Sequence, residues 1–223
     1  MAWSLDKHYL ADLAAVGVPI VPTDFVPADS GIDLAARVAS LGPLVVKPAI
    51  SAAAKDTFRL MTEADAAALD FAALNHGRSF LIQPFLPEIM TAGEWSLVYL
   101  DGEYSHAVWK TPAKGHWLVQ DELGGSVASG EPSAPVKVLA DLAVARLSDA
   151  FARQHSQGYE MPLYGRVDVI VSGGKALIGE LELVEPELFF LTRSATGNVA
   201  NERALGLFRR GLGRLTRREP RLV

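Results

Sequence analysis

Three carboxylates lie at spacings that a β-hairpin would bring together. Asp168 alternates with valines, and Glu180 and Glu182 alternate with leucines, which is the period of two of half-buried strands. A hairpin centred on Gly174, in a Ser-Gly-Gly-Lys turn, would place Asp168 opposite Glu180 with Glu182 beside them. Ionised carboxylates about 4 Å apart repel by roughly 4 kcal/mol at an effective dielectric near 20, so a hard cation such as Mg²⁺ is their expected partner. Spacing alone also allows an exposed strand face with solvated acids and Arg166 as their local partner.

A lysine at the end of an apolar strand is the second chemical feature. Lys47 follows three apolar residues and precedes a loop of Ser and Ala that extends to Lys55. Small side chains let a ligand approach the loop backbone, where N–H groups and an ammonium group bind phosphate oxygens. The pattern predicts a phosphate site, and it is equally compatible with a solvated lysine at the end of an exposed strand.

The elements that must position these residues alternate between helix and strand at first and are mostly antiparallel strands later. The predicted helices cover residues 5–16, 33–41, 62–74, 136–154 and 200–218. The predicted strands cover residues 17–22, 44–48, 56–61, 80–84, 94–100, 104–110 and the two arms of the hairpin. This order predicts an α+β fold with two lobes, one within residues 1–86 and one within 87–223.

Composition limits the classes of protein and site. A chain of 223 residues, 49% of them hydrophobic, can bury one substantial core or two small lobes. The net charge of -5 argues against nucleic acid as the main partner. The sequence has neither an apolar run of about 20 residues nor a signal-peptide pattern, so we expect no membrane association and a cytoplasmic location. The absence of cysteine excludes thiolate catalysis, disulfides and cysteine zinc sites.

The order of the motifs resembles the ATP-grasp superfamily, in its carboxylate-amine ligase branch. The matching segments are, in chain order, Ser-Leu-Asp-Lys7, Val-Val-Lys47-Pro, Ile82-Gln-Pro-Phe-Leu86, Arg166-Val-Asp168 and Glu180-Leu-Glu182. Ile82-Gln-Pro-Phe85, Gly93-Glu-Trp-Ser-Leu97 and the segment from Glu180 to Pro186 are most similar to ligases of the D-cycloserine-biosynthesis type. Glutathione synthetases and ribosomal-protein glutamate ligases are more distant members of the branch. The resemblance implies a nucleotide site between a small lobe within residues 1–86 and a C-terminal lobe, residues 87–223, that carries the metal-binding hairpin.

The resemblance also implies a role for each matching side chain at the metal and phosphoryl positions. Asp168, Glu180 and Glu182 match the magnesium ligands, with Glu182 standing where many members have asparagine. Arg166 and Lys110 match residues that stabilise charge on the transferred phosphoryl group.

The nucleotide positions follow from the same resemblance. Lys7 and Lys47 match the two lysines on the phosphates, and the loop from Ser51 to Lys55 matches the flexible loop that closes over them. The segment between the lobes matches the backbone that contacts adenine, and its residues are Gln83, Pro84, Phe85 and Leu86. Either Glu88 or Glu94 would contact the ribose hydroxyls, and the sequence leaves that choice open.

The implied reaction activates a carboxylate with ATP and then lets an amine attack the acylphosphate, forming an amide or peptide-type bond. Mg²⁺, or Mn²⁺ in its place, is the implied metal, and amino acids or small peptides of specialised metabolism are the implied substrates. Catalysis of this kind depends on positioning and charge neutralisation and needs no cysteine or serine nucleophile. Two alternatives stay open, a noncatalytic ATP-binding module or subunit and an ATP-dependent phosphotransferase acting on a small molecule.

Two departures from the family pattern affect these expectations. Leu118 stands where such ligases have an arginine, which is compatible with an unusual substrate, with replacement by Lys114, with loss of ligase activity, or with Leu118 as a core residue in a register shifted by one. These ligases also carry a further N-terminal lobe of about 100 residues, the size of a small domain. Because Met1 falls just before Lys7, we expect that lobe to be absent or supplied by a separate chain, with a homo-oligomer as another arrangement.

Overall fold

Antiparallel β-sheets form the framework of the fold. The computed structural model describes residues 2–52, 54–113, 115–118, 124–156, 158–194, 197–198 and 202–217. The first sheet contains β1 (Asp24–Val26), β2 (Leu44–Pro48), β3 (Phe58–Leu60) and β4 (Phe80–Pro84). Its strand order is β1-β4-β2-β3, and every neighbouring pair is antiparallel.

A five-stranded sheet follows in the chain. Its strands are β5 (Glu94–Leu100), β6 (Glu103–Thr111), β7 (Ser126–Ser129), β8 (Tyr164–Ser172) and β9 (Lys175–Glu182). They lie in the order β7-β6-β5-β8-β9, again antiparallel throughout. A short ribbon pairs β10 (Arg193–Ser194) with β11 (Gly197–Asn198).

Helices cover both sheets. Ala2–Leu5 is a 3₁₀ turn, and the described helices are α1 (Tyr9–Ala15), α2 (Leu34–Leu41), α3 (Glu63–Ala68), α4 (Phe71–Asn75), α5 (Ile89–Ala92), α6 (Ala134–Ala145), α7 (Leu147–Ala152) and α8 (Glu202–Thr216). The Asp33 side chain caps α2 by accepting from the N–H of Ala36. Thr62 and Asp65 form a capping box at the start of α3. None of the helices in the described part of the chain is long and apolar enough to cross a membrane.

The two faces of the five-stranded sheet differ in character. One face packs Leu97, Val167 and Leu181 against α1 and α6 in the main core. On the other face, α8 covers only the end that carries Val98 and Leu100. The rest of that second face carries charged side chains and is the floor of the site described below.

The α+β class expected from the sequence is confirmed. The differences lie in where individual helices and strands begin and end. The helix predicted over 62–74 is divided because Asp70 caps a new helix by accepting from the N–H of Ala73. The helix predicted over 136–154 breaks at Arg146, whose backbone leaves the helical region. The strand predicted over 17–22 is a single parallel bridge between Ile20 and Ile178.

The boundary at residue 86 stays a proposal. The four-stranded sheet lies within residues 24–84 and the five-stranded sheet within 94–182, on either side of it. Tyr9, Leu10 and Leu13 of α1 nevertheless pack in the core of the five-stranded sheet. The first helix therefore contributes to the C-terminal core although it belongs to the N-terminal part of the sequence.

A β-bulge sets the register of the predicted hairpin. The turn is formed by Gly173 and Gly174, both with positive φ, and Ser172 pairs with Lys175. That turn alone would pair Asp168 with Gly179. An irregularity next to Asp168 adds one residue on β9, so that Asp168 pairs with Glu180 as expected.

Candidate active site

Seven charged or polar residues project from one face of the five-stranded sheet. Across neighbouring strands, Ser96 pairs with Asp168, and Asp168 pairs with Glu180. The other four residues of this charged group are Glu94 on β5, Lys110 on β6, Arg166 on β8 and Glu182 on β9. Since alternate residues of a strand share a face, the period of two seen in the sequence is what gathers these groups.

Asp168 is the most strongly held carboxylate of the site. Its Oδ1 accepts hydrogen bonds from Arg166 Nε at 2.9 Å and from Ser96 Oγ at 2.5 Å, and its Oδ2 accepts from Arg166 Nη2 at 2.9 Å. Lys110 Nζ lies 3.6 Å from Oδ1. Burial alone would raise the pKa of Asp168, but the charges of Arg166 and Lys110 outweigh burial and hold that pKa well below its usual range.

The other two carboxylates of the hairpin have pKa values shifted in opposite directions. Glu180 Oε1 accepts from Lys47 Nζ at 2.8 Å, and the charges of Lys47 and Lys7 overcome burial to lower the pKa of Glu180. Glu182 Oε1 accepts from Arg166 Nη2 at 2.5 Å. Burial and the charge of Asp168 nevertheless raise the pKa of Glu182 to about 7. The three carboxylates each offer a ligand atom within 4.8 Å of the others, a donor set that fits a hard divalent cation.

A buried ion pair extends the charged row toward the other strands. Lys110 Nζ contacts Glu94 Oε1, and both residues are at most 9% exposed. Burial lowers the pKa of Lys110, but the charges of Asp168 and Glu94 raise it overall, so the ammonium group stays protonated. Burial raises the pKa of Glu94 despite Lys110.

Two lysines from the N-terminal part of the chain face these acids. Lys47 lies on β2, and Lys7 precedes α1 with its backbone N–H bonded to Ala49 O. Lys7 Nζ donates to Ser51 O at 3.0 Å and to Ser51 Oγ at 3.2 Å. Burial lowers the pKa of Lys7, although the charge of Glu180 opposes this effect. The serine loop and both ammonium groups therefore meet at one place.

Most residues expected from the sequence line a single cavity of about 220 Å³. Those present are Lys7, Lys47, Ser51, Gln83, Pro84, Phe85, Leu86, Glu94, Lys110, Arg166, Asp168, Glu180 and Glu182. Lys55 and Glu88 lie outside its described lining, and Lys55 is exposed. Glu88 instead accepts hydrogen bonds from Ser172 Oγ at 3.0 Å and from the N–H of Gly173 at 3.2 Å. Of the two ribose candidates, Glu94 is the one that lines the cavity.

The chain is similar in sequence and fold to proteins of one family. The chain is 35% identical over 217 residues to the cycloserine biosynthesis protein DcsG of Streptomyces lavendulae, an alignment that covers 91% of this chain and 69% of that protein. The chain belongs to the ATP-grasp carboxylate-amine ligases. No protein-family model matches it.

Solved structures of ATP-grasp ligases superpose on nearly the whole chain. The crystal structure of D-cycloserine synthetase DcsG matches with a TM-score of 0.74 and 29% identity, covering 96% of this chain and 71% of that one. A D-alanine–D-alanine ligase from Bacillus anthracis matches with a TM-score of 0.64 at 13% identity, over 96% of this chain and 68% of its own. The ATP-grasp ligase PsnB matches at 0.61 and 17% identity, over 93% and 61%. The last two likenesses concern the fold alone.

Because it belongs to the ATP-grasp ligases, this chain is an enzyme. Its site also includes residues that the sequence analysis did not predict. Ser96 donates a hydrogen bond to the Asp168 carboxylate. The sequence indicates this position, because Ser96 lies two residues after Glu94 and so on the same face of β5. Trp117 and Leu118 both line the cavity. Leu118, which stands where an arginine is expected, therefore borders the site. Lys114, the suggested replacement for an arginine, lies outside the described residues.

Proposed function

We propose that this ATP-grasp ligase joins a small-molecule carboxylate to an amine through an acylphosphate, in a reaction that depends on ATP and Mg²⁺. The observation that carries the proposal is the convergence of four carboxylates and four cationic groups on one cavity. The carboxylates are Glu94, Asp168, Glu180 and Glu182, and the cations are Lys7, Lys47, Lys110 and Arg166. Phosphoryl transfer requires this pairing of metal ligands with phosphate-binding cations.

The metal-holding role falls to Asp168, Glu180 and Glu182. Their ligand atoms are close enough to share one ion, and hard oxygen donors suit Mg²⁺ or Mn²⁺. A bound Mg²⁺ would neutralise phosphate charge and align the γ-phosphate. Burial and the charge of Asp168 raise the pKa of Glu182 to about 7. The double positive charge of a bound Mg²⁺ would favour the ionised form of Glu182.

The phosphate-binding roles fall to the cations. Lys7 and Lys47 would donate to phosphate oxygens under the loop that begins at Ser51, with Lys55 as a further part of that loop. Arg166 and Lys110 would neutralise charge on the transferred phosphoryl group and on the acylphosphate. Both are buried, at 8% exposure, so their charges act in a poorly screened environment. Residues 83–86 would contact the base and Glu94 the ribose hydroxyls.

The ion pairs of the site imply an exchange of partners on binding. Glu180 is bonded to Lys47 and Glu182 to Arg166, so a metal ion would compete with a cation at each carboxylate. The displaced ammonium and guanidinium groups are those that the phosphates need. Nucleotide and metal should therefore strengthen each other's binding, because each supplies the counter-charge that the other displaces.

The substrates are proposed at the level of class. We propose amino acids or small peptides of specialised metabolism, since the most similar protein reported above is a cycloserine biosynthesis protein. Use of ATP supports a cytoplasmic location. We also propose that the chain acts with a second copy of itself or with a separate chain. Sedimentation velocity of the purified chain tests for the second copy.

Product analysis tests the proposed reaction. The purified chain is incubated with Mg²⁺, ATP and pairs of amino acids, and ADP, phosphate and new products are measured by coupled assay and mass spectrometry. We expect ADP and phosphate in equal amounts with a product lighter than its two substrates together by one water. A phosphorylated product without an amide would favour the phosphotransferase. Failure to release ADP with any pair, alone or with a candidate partner chain, would overturn the proposal.

A further inference from the structure

Besides its acids and cations, the cavity is lined by a group of apolar residues, which we call its apolar end. Its walls there are apolar, and they come from both sheets and from the connections between them. The residues of this apolar end are Val45, Phe85, Leu86, Ile89, Trp117 and Ile170. A phosphate chain gains nothing from such walls, whereas a planar aromatic base gains both burial and stacking.

Two aromatic rings from different parts of the molecule meet at this end. Phe85 directly follows β4 of the four-stranded sheet, and Trp117 lies on the connection from β6 to β7 of the other sheet. Their ring centroids are 6.2 Å apart with the planes at 81°, an edge-to-face contact. This contact joins the segment after β4 to the β6–β7 connection.

An arginine holds both rings. The guanidinium carbon of Arg59 lies 5.2 Å from the Phe85 ring centroid and 5.7 Å from that of Trp117. Its Nη1 also contacts Met90 Sδ at 3.6 Å. Arg59 is on β3 and is not part of the cavity lining, so it acts on the rings from outside.

We propose that Trp117 contacts the nucleobase and makes the site prefer a nucleoside triphosphate to the same phosphates without a base. Arg59 is a positioning residue that holds Trp117 against Phe85. The inference rests on the proposed function, because it assumes that the charged end binds the phosphates. It adds a specificity residue from the β6–β7 connection to the site.

The test compares a nonhydrolysable ATP analogue with inorganic tripolyphosphate, each with Mg²⁺, by calorimetric titration. Stacking of a base on an aromatic side chain is commonly worth about tenfold in affinity or more. Trp117→Ala should therefore raise the Kd of the analogue by about tenfold and leave that of tripolyphosphate unchanged. Trp117→Phe, which keeps an aromatic face, should recover most of the loss. Because Trp117 is half-buried on a loop, these variants should fold.

Arg59→Met should produce a smaller loss for the analogue and none for tripolyphosphate. Arg37→Met is its matched control, since Arg37 pairs with Asp24 on the surface of the same part of the chain. Addition of the analogue should also change tryptophan fluorescence in the wild type and not in Trp117→Phe.

The outcomes separate the two proposals. Equal losses for both compounds in Trp117→Ala, or no loss for either, would overturn the role of Trp117 while leaving the phosphate site intact. Failure of the wild type to bind either compound would overturn the proposed function together with this inference.

Discussion

The two ends of the cavity are built in different ways. At the charged end, Asp168, Glu180 and Ser96 lie side by side on adjacent strands of one sheet. At the apolar end, Phe85 and Trp117 come from different parts of the fold and meet through a ring contact. Strands held by a hydrogen-bond ladder separate only at a large energetic cost, whereas an edge-to-face ring pair contributes about 1 kcal/mol. The charged end should therefore keep its geometry while the apolar end opens to admit a nucleotide.

The largest expected effect comes from breaking the charged end. Gly93 precedes Glu94 with φ at 68°, and a Cβ on it would collide with the Lys110 carbonyl oxygen and lie 2.7 Å from Trp109 Nε1. Gly93→Ala must force β5 and β6 apart, so we expect it to lower the free energy of unfolding by about 4 kcal/mol. Denaturant titration followed by circular dichroism measures the loss.

Gly115→Ala is the matched change near the apolar end. Gly115 has φ at 83°, and a Cβ there would meet no atom of the described residues within 4 Å. The expected cost is only backbone strain, about 1 kcal/mol. Equal destabilisation by the two variants would contradict the difference in rigidity between the ends.

The second prediction removes a metal ligand without changing its shape. Loss of a residue that merely supports a metal ligand typically costs 10–100-fold in affinity, so Glu180→Gln should weaken Mn²⁺ binding in the presence of the ATP analogue by about 100-fold. The fold should lose little stability, because the Glu180 side chain is 28% exposed. Electron paramagnetic resonance titration with Mn²⁺ measures the affinity. Glu103→Gln, which breaks an exposed pair with Arg210, is the control, and unchanged Mn²⁺ affinity in Glu180→Gln would refute the ligand assignment.

The charged end is also the part of the site that sequence could predict. Asp168 and Glu180 are 12 positions apart, and the alternation and the glycine turn between them are local signals. No local signal in the sequence predicts the bulge on β9, although the bulge is what pairs Asp168 with Glu180. Glu88 directly follows the segment between the lobes in sequence, and its hydrogen bond to Gly173, 85 residues away, could not be predicted from local pattern. The meeting of Trp117 with Phe85 likewise depends on how the two sheets approach each other, which no local pattern encodes.

The third prediction tests how the charged end is kept rigid. The Ser96 hydroxyl, fully buried, donates to Asp168 at 2.5 Å and restricts how that carboxylate can turn. Ser96→Ala should weaken Mn²⁺ binding by about tenfold, the lower end of the cost of losing a supporting hydrogen bond. Ser40→Ala removes an exposed hydroxyl that bonds Arg37 O and should leave Mn²⁺ affinity unchanged. If both variants bind Mn²⁺ as the wild type does, Ser96 has no positioning role.

The smallest expected effect lies where the charged face meets the core under α8. His106 is 7% exposed, and its ring bonds Ser105 Oγ at 2.9 Å and Leu188 O at 2.8 Å. Burial lowers the pKa of His106, although the bond to Leu188 opposes it. The unfolded chain therefore binds the proton more readily than the folded one, and stability is lost as pH falls below the unfolded value of about 6.5 toward the lower folded value.

One such proton can change stability by at most about 1.4 kcal/mol per pH unit, and the slope should fall short of that limit because the Leu188 bond favours the charged ring. Subtracting the unfolding free energy of His106→Gln from that of the wild type, measured between pH 8 and pH 5, isolates this contribution. The difference should be constant at the alkaline end and shrink as the solution becomes acidic, since only the wild type pays for protonating a buried ring. A difference that stays constant, or grows on acidification, would mean that His106 is protonated at least as easily in the folded chain as in the unfolded one. In that case the protonated His106 ring would be stable on this face of the sheet without a counter-charge, whereas the acids beside it are paired with cations.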